Sequence, residues 1–214
     1  MRTKRLSLLI FSFLMIYPAK SIPAVNSQGK WTLSAKGGLC HSLAGGFDFD
    51  TERDGRYGVG ISTEYRFLEP LSAGLAFTYN SFQGVWQGSM IPEDQSHYST
   101  GWNWTSVSLF ARFLWAPQND ASPYFTAGMG LYFPKVKDRW FLDPARVVTH
   151  TSYGRGQFGY HLGCGIQYSI KQKVFVFLEV PLTVVRTRDL EIQGHGFSED
   201  TQYFNIFAGI SFLL

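Results

Sequence analysis

The sequence predicts an all-β fold, an eight-stranded antiparallel transmembrane β-barrel with short turns on one side and long loops on the other. Three observations carry this. Eight segments alternate a large apolar residue with a small or polar one. The connections between them run long, short, long, short, long, short, long. Aromatic residues make up 17% of the 214 positions against 16% charged, and 22 positions are glycine. Strand side chains alternate between faces, so each segment has one greasy face and one small or polar face. A soluble barrel or sandwich turns its large apolar residues inward. Here nearly every segment groups its large apolar residues on one face and small or polar ones on the other, as expected with lipid outside and a crowded lumen inside. Backbone groups in lipid must all be paired, so such a sheet has to close.

The chain starts with a basic stretch, Arg2, Lys4 and Arg5, then an apolar run from Leu6 to Tyr17, then Pro18, Ala19, Lys20 and Ser21. This is the layout of a secretory signal peptide. At about 12 residues the run is too short for a helical span, which needs about 20. Residues 1–21 are expected to be removed, with cleavage after Ala24 the alternative, leaving 30–214 as the barrel domain. The signal carries four positive charges, so the net charge of +3 falls to −1 without it. Nucleic-acid binding is therefore not expected.

The first strand is predicted over Lys30–Leu39, with Trp31, Leu33 and Ala35 outward and Thr32, Ser34 and Lys36 inward. A loop, Cys40–Arg56, carries Asp48, Asp50, Glu52 and Asp54, a pattern open to a divalent cation but read more simply as a solvated acidic loop. The second strand, Tyr57–Phe67, sets Val59, Ile61 and Tyr65 against Gly58, Gly60, Glu64 and Arg66. After the turn Leu68–Leu71 comes the third, Ser72–Phe82, and then a polar loop, about Gln83–Gly101. The fourth, Trp102–Trp115, sets Val107, Leu109 and Phe113 against Ser106, Ser108 and Arg112. The turn APQNDASP, rich in turn formers, leads to the fifth, Tyr124–Phe133, followed by a predicted loop over about Pro134–Arg155. The sixth, Gly156–Ile170, turns at Lys171–Lys173 into the seventh, Val174–Val185. A last loop, about Arg186–Gln202, precedes the closing strand Tyr203–Leu214. With short turns on the periplasmic side and long loops outside, both termini fall on the periplasmic side. Trp31, Tyr57, Phe67, Tyr79, Trp102, Trp104, Trp115, Tyr124, Phe133, Tyr203 and Phe212 lie near strand ends, where interfacial girdles form.

By parity Lys36, Glu64, Arg66, Arg112, His161 and Glu179 point into the lumen, with Gln167. An eight-stranded barrel is just wide enough for side chains to fill, and charges there must pair or be hydrated. The expectation is a plug of ion pairs bracing the barrel; the alternative is a gate whose opening creates a narrow ion path. Cys40 lies at the top of the first strand and Cys164 on the outward face of the sixth, so two free cysteines are expected. For a hydrolase, a nucleophile needs a base within reach. His41 and Ser42 are neighbours on extended chain and face opposite ways, while His195 and Ser198 fall in a loop, so no catalytic residue is assigned. No metal ligand set or cofactor is expected. Asn103-Trp104-Thr105 matches a glycosylation triplet that carries little weight in a bacterial outer membrane.

The stretches SPYFTAGMGLYF, FGYHLGCGIQYSIKQKVFVFLEVPL and FAGISFLL, in this order, resemble the closing half of the small outer-membrane β-barrel family of the OmpA transmembrane domain and OmpX type. The resemblance implies a Gram-negative outer-membrane location, outer-membrane lipid and lipopolysaccharide as surroundings, a monomer, and recognition of the C-terminal strand by the barrel-assembly machinery. That family usually ends in Phe; this chain departs from it with Leu214, and Phe212 stands two before. The role implied is structural or surface-interacting. A narrow porin-like channel and a lipid-modifying enzyme are the alternatives.

Overall fold

The computed structural model describes residues 27–44, 52–86, 97–117, 119–143, 146–188, 190–192, 195–196 and 199–214. The expected signal peptide, residues 1–21, and the acidic positions Asp48 and Asp50 lie outside the described residues. The strands are β1 (Lys30–Ala44), β2 (Glu52–Leu68), β3 (Leu71–Trp86), β4 (His97–Leu114), β5 (Ala121–Asp143), β6 (Arg146–Tyr153), β7 (Gln157–Lys171), β8 (Val174–Val185), β9 (Glu191–Ile192), β10 (His195–Gly196) and β11 (Thr201–Leu213).

Eight of these close a barrel. The pairing runs β1–β2–β3–β4–β5–β7–β8–β11, and β11 returns to β1. All ladders between them are antiparallel. The closing seam, Thr32↔Leu213 to Ala44↔Gln202, is continuous apart from one shift near Ser42. The chain end is held at the turn side, where the Leu214 amide donates to the Trp31 carbonyl at 2.9 Å and the Leu213 amide to the Lys173 carbonyl at 2.9 Å.

The predicted faces hold. Trp31, Ile61, Leu75, Leu109, Met129, Leu162 and Phe212 are exposed, and Thr32, Ser34, Ser72, Ser106, Ser108, Asn205 and Ser211 are buried. This is an inside-out distribution for a soluble protein and the expected one for a barrel in lipid.

The strands β1–β5 are longer than predicted, and this corrects four loops; that over 40–56 gives its first residues to β1, which runs to Ala44, and its last to β2, which starts at Glu52. The largest difference is in β5, which runs for 23 residues where a transmembrane strand takes about 9 to 11. It passes through Pro134 into Lys135–Asp143, and β6 folds back on it, Lys135↔Tyr153 to Asp143↔Arg146. β4 follows β5 along its length, His97↔Phe141 to Leu114↔Tyr124, and β3 follows β4 up to Trp86↔Tyr98. The predicted loop over 134–155 is thus largely a hairpin, and the loop over 83–101 contributes to β3 and β4. The region 186–202 carries a small pairing of β9 with β10.

Pro134 explains why the sequence misleads at that point. One edge of β5 pairs with β7 as far as Tyr132↔Gln157 and with β6 from Lys135↔Tyr153 onward. Pro134 sits at this changeover, and its carbonyl accepts from the Gly154 amide at 2.9 Å. A residue's N and C=O leave a strand on the same side, so the missing proline donor faces the break between two partners. No ladder bond is lost there.

Pro181 lies inside β8 and does interrupt a ladder. β8 pairs with β11 at Phe204↔Leu182 and resumes, in unchanged register, at Phe207↔Glu179.

Candidate functional site in the lumen

The lumen is filled by residues that alternate with glycine across neighbouring strands. Tyr124 faces Gly165, His161 faces Gly128, and Phe177 faces Gly209 in the ladders. In each case a Cβ added to the glycine would fall within 2.4 Å of the opposite ring. Large inward rings therefore lie flat over positions with no side chain, which allows several of them in so narrow a bore.

Four of the six predicted lumen residues form one connected chain. Lys36 Nζ is 2.9 Å from Glu179 Oε1. Arg112 spans both carboxylates, with Nη1 2.9 Å from Glu64 Oε1 and Nη2 3.6 Å from Glu179 Oε2. Uncharged groups complete the acceptors: Tyr124 OH donates to Glu179 Oε2 at 3.1 Å, and Ser72 Oγ to Glu64 Oε2 at 3.3 Å. The Arg112 guanidinium lies 4.5 Å from the centre of the Tyr124 ring, and Lys36 Nζ lies 4.7 Å from that of Phe207. Such stacking suits a planar cation withdrawn from water. These residues come from β1, β2, β3, β4, β5, β8 and β11, so the network ties most of the wall across the bore.

The other two stand apart from the ion pairs. Arg66 Nη1 donates to Ser27 Oγ at the turn-side end. The hydrogen bond of His161 joins its Nδ1 to Tyr132 OH at 3.5 Å. The partners that the charge pattern did not single out are Tyr124, Ser72, Phe207 and Ser27. Parity places Tyr124 inward, and that was the available signal for it.

Packed clusters lie above and below. At the turn side Leu114, Tyr124 and Phe177 are buried together. Toward the loops, Phe82, Trp102, Trp104, Tyr132, Val185 and Tyr203 pack with Cys40, Val136 and Ile192. This corrects the expected girdle: Trp102, Trp104, Tyr124 and Tyr203 are buried on the lumen side, with Trp104 at 0% exposure. Trp31, Tyr57, Phe67, Trp115, Phe133 and Phe212 remain exposed on the outer wall. Between the clusters is a cavity of about 40 Å³, lined by Thr78, Asn80, Ser106, Ser108 and Asn205 among others. At about 10–15 Å³ per water, it has room for a few.

His41 and Ser42 are on opposite faces, His41 exposed beside Phe204 with ring centres 5.4 Å apart and Ser42 buried. They cannot act as a nucleophile and base. Ser198 lies outside the described residues, as does the side chain of His195. Glu52 and Asp54 belong to β2, and the cation reading of that loop rests on residues outside the described ones. Both cysteines are free, Cys40 buried and Cys164 exposed on the outer face.

No curated protein matches this chain in sequence. Among solved structures it is similar in fold to Neisserial surface protein A, with 14% identity, a TM-score of 0.54, and 85% of this chain and 96% of that one covered. It is also similar to a major outer membrane protein from Thermus thermophilus, with 8% identity, a TM-score of 0.52, and 86% and 99% covered. A model of the outer membrane protein β-barrel domain matches residues 6–211. The closed lipid-facing barrel and this match agree, and the chain belongs to the outer membrane protein β-barrel domain family.

Proposed function

We propose that the protein is a structural or surface-interacting outer-membrane barrel whose lumen is plugged. The observation that carries this reading is the chain Lys36–Glu179–Arg112–Glu64, which crosses the bore between two packed clusters. A buried ion pair holds its partners in place mainly because breaking it leaves an uncompensated charge, at a cost of about 3–5 kcal/mol. Ions crossing the bore would have to break these pairs. The test is conductance of the purified protein in a planar bilayer: the plug gives negligible current, and resolved conducting steps in the wild type would overturn it.

A second reading, a gate, is favoured by the hydroxyl- and amide-lined cavity beside the network. Under it, Glu179→Ala frees Lys36, leaves Arg112 paired with Glu64 alone and opens an ion path. Negligible conductance in that variant counts against a gate.

The same proposal includes export and assembly. Residues 1–21 would be removed as a signal, so the mature protein would begin at Ile22, or at Val25 for the later cleavage, as N-terminal sequencing of outer-membrane material would read. The terminal strand β11 would be the segment recognised during assembly, and the folded unit a monomer in a lipopolysaccharide-containing membrane.

A further inference from the structure

We propose that the lumen cavity is a water-binding site, and that a water held there completes the barrel wall where Pro181 breaks it. The proposal stands whether or not the lumen conducts.

The observation is an interruption on one edge of one strand. Between β8 and β11 the register is unchanged from Phe204↔Leu182 to Phe207↔Glu179, yet Asn205 and Ile206 have no ladder partner on β8. Both keep their partners on β1, Cys40↔Asn205 and Leu39↔Ile206. Pro181 and Val180 keep theirs on β7, Gly163↔Pro181 and Cys164↔Val180. The proline nitrogen therefore faces β11. In an antiparallel ladder, opposed residues either exchange two hydrogen bonds or none, in alternation. Asn205 and Pro181 stand at an exchanging position, where proline removes the bond to the Asn205 carbonyl. Among the described residues, none of the backbone hydrogen bonds outside the ladders ends on that carbonyl.

Val180, Leu182 and Ile206, around this point on the outer face, are exposed. Hydrocarbon offers no donor, and a bare carbonyl in the wall is unfavourable. The donor has to come from the lumen side.

That side has room for one. Pro181 and Asn205 line the cavity of about 40 Å³ between the two packed clusters, together with Asn80 and Thr126. Asn205, Asn80 and Thr126 are 2%, 1% and 6% exposed. Both asparagine Oδ1 atoms and Thr126 Oγ1 have no hydrogen-bond partner among the described groups. Asn80 Nδ2 already donates to Tyr203 OH at 3.3 Å. The amide oxygens and the seam carbonyl are acceptors, so what fills the cavity must donate to them.

The surroundings select a neutral donor. Lys36 and Arg112 line the same space, and their charges are already matched by Glu179 and Glu64, so a further cation is repelled. An anion would meet the unpaired oxygens. Water donates to these and can also accept, as the unpartnered Arg112 Nε requires. At roughly 10–15 Å³ each, about three waters fit. A water-lined cavity is also the setting in which irregular backbone persists at membrane depth.

The test is NMR of the folded full-length barrel in nanodiscs, reading magnetisation transfer from water to protein amides, with the unfolding midpoint as a second measurement. Transfer from long-lived water is expected at the main-chain amide of Asn205 and the side-chain amides of Asn80 and Asn205. Val176 and Ile210, in the intact part of the same ladder, should show none. Pro181→Ala restores an N–H opposite the Asn205 carbonyl, and Asn205→Leu puts a larger apolar side chain into the cavity and displaces the water. Asn205→Leu should therefore lower the midpoint, and lower it less in a Pro181→Ala background, where the carbonyl has its own donor. Absence of transfer at Asn80 and Asn205 in the wild type overturns the proposal. So does equal transfer at Val176 and Ile210, or an equal loss of midpoint from Asn205→Leu in both backgrounds. The wild-type spectrum decides the matter even if neither variant folds.

Discussion

Tyr124 lies directly across the β5–β7 ladder from Gly165, and its ring occupies the space a side chain there would need. A Cβ on Gly165 would stand 2.4 Å from Tyr124 Cζ and 2.5 Å from the Leu178 carbonyl oxygen. The Tyr124 phenol is also a hydrogen-bond donor to Glu179 and the stacking surface for Arg112. The glycine therefore supports the charged network without touching it.

Gly165→Ala is expected to destabilise the barrel by about 1–3 kcal/mol, the usual cost of overpacking, because one of the obstructing atoms is backbone. Gly37→Ala serves as the control, since the nearest atoms to its added Cβ are 3.9 Å away. Urea unfolding in lipid vesicles checks both. Combining Gly165→Ala with Tyr124→Ala should cost less than the sum of the two, as expected for residues in contact. Strict additivity would show that the ring does not depend on the glycine.

The charged chain predicts an order of effects. Glu179 accepts from Lys36 and Tyr124 and is ion-paired with Arg112 at 3.6 Å, so Glu179→Ala leaves half-buried Lys36 without its carboxylate and buried Arg112 with Glu64 alone, and should cost about 3–5 kcal/mol. Glu64→Gln should cost less, because Arg112 keeps Glu179 at 3.6 Å. Lys36→Met should also cost less, because Glu179 keeps Arg112 and Tyr124. Equal unfolding midpoints for the three variants would mean that the carboxylate of Glu179 is not the hub.

How far the sequence was readable follows from where its alternation has a physical cause. Inside the bilayer every residue faces either hydrocarbon or a packed lumen, so parity alone placed Lys36, Glu64, Arg112 and Glu179 in one bore. It could not say that Arg66 would turn away to Ser27, since several acceptors share that face. Above the membrane the outer face meets water, the apolar signal ends at Phe133, and β5 continues as Lys135, Lys137 and Arg139 without it. Pro134 strengthened the false boundary, although its missing donor lies where no bond is needed. Trp102 and Trp104 were misplaced for a related reason. Nearness to a strand end suggested a girdle, whereas their even parity, shared with Ser106 and Arg112, assigns them to the lumen.

The two cysteines give a direct check of which wall faces lipid. Cys164 is exposed on the outer face, and Cys40 is buried with its Sγ 3.0 Å from the Ser81 carbonyl. In bilayers a membrane-soluble maleimide should label Cys164, while Cys40 should react only after unfolding. Oxidation should give no intramolecular bridge, because the two thiols point to opposite sides of the wall. Rapid labelling of Cys164 by a charged, water-soluble maleimide in intact vesicles would contradict a lipid-facing position.

The final strand combines wall and assembly in a few residues. Phe212 is exposed on the outer face and pairs with Leu33 on β1 and Val174 on β8, so a charge there meets lipid at the seam that closes the barrel. Phe212→Asp is expected to lower the heat-modifiable, folded fraction recovered from outer membranes. Leu214 is different: it lies one residue past the end of β11, is exposed, and its amide bond to the Trp31 carbonyl involves backbone alone. Leu214→Phe adds an aromatic surface at the turn-side interface, where rings are favoured, and removes no contact of the main chain. Its folded fraction should equal or exceed that of the wild type. Normal recovery of Phe212→Asp would show that neither closure nor recognition depends on this face of the strand, whereas a loss confined to Leu214→Phe would mean that the terminal position tolerates only the smaller side chain.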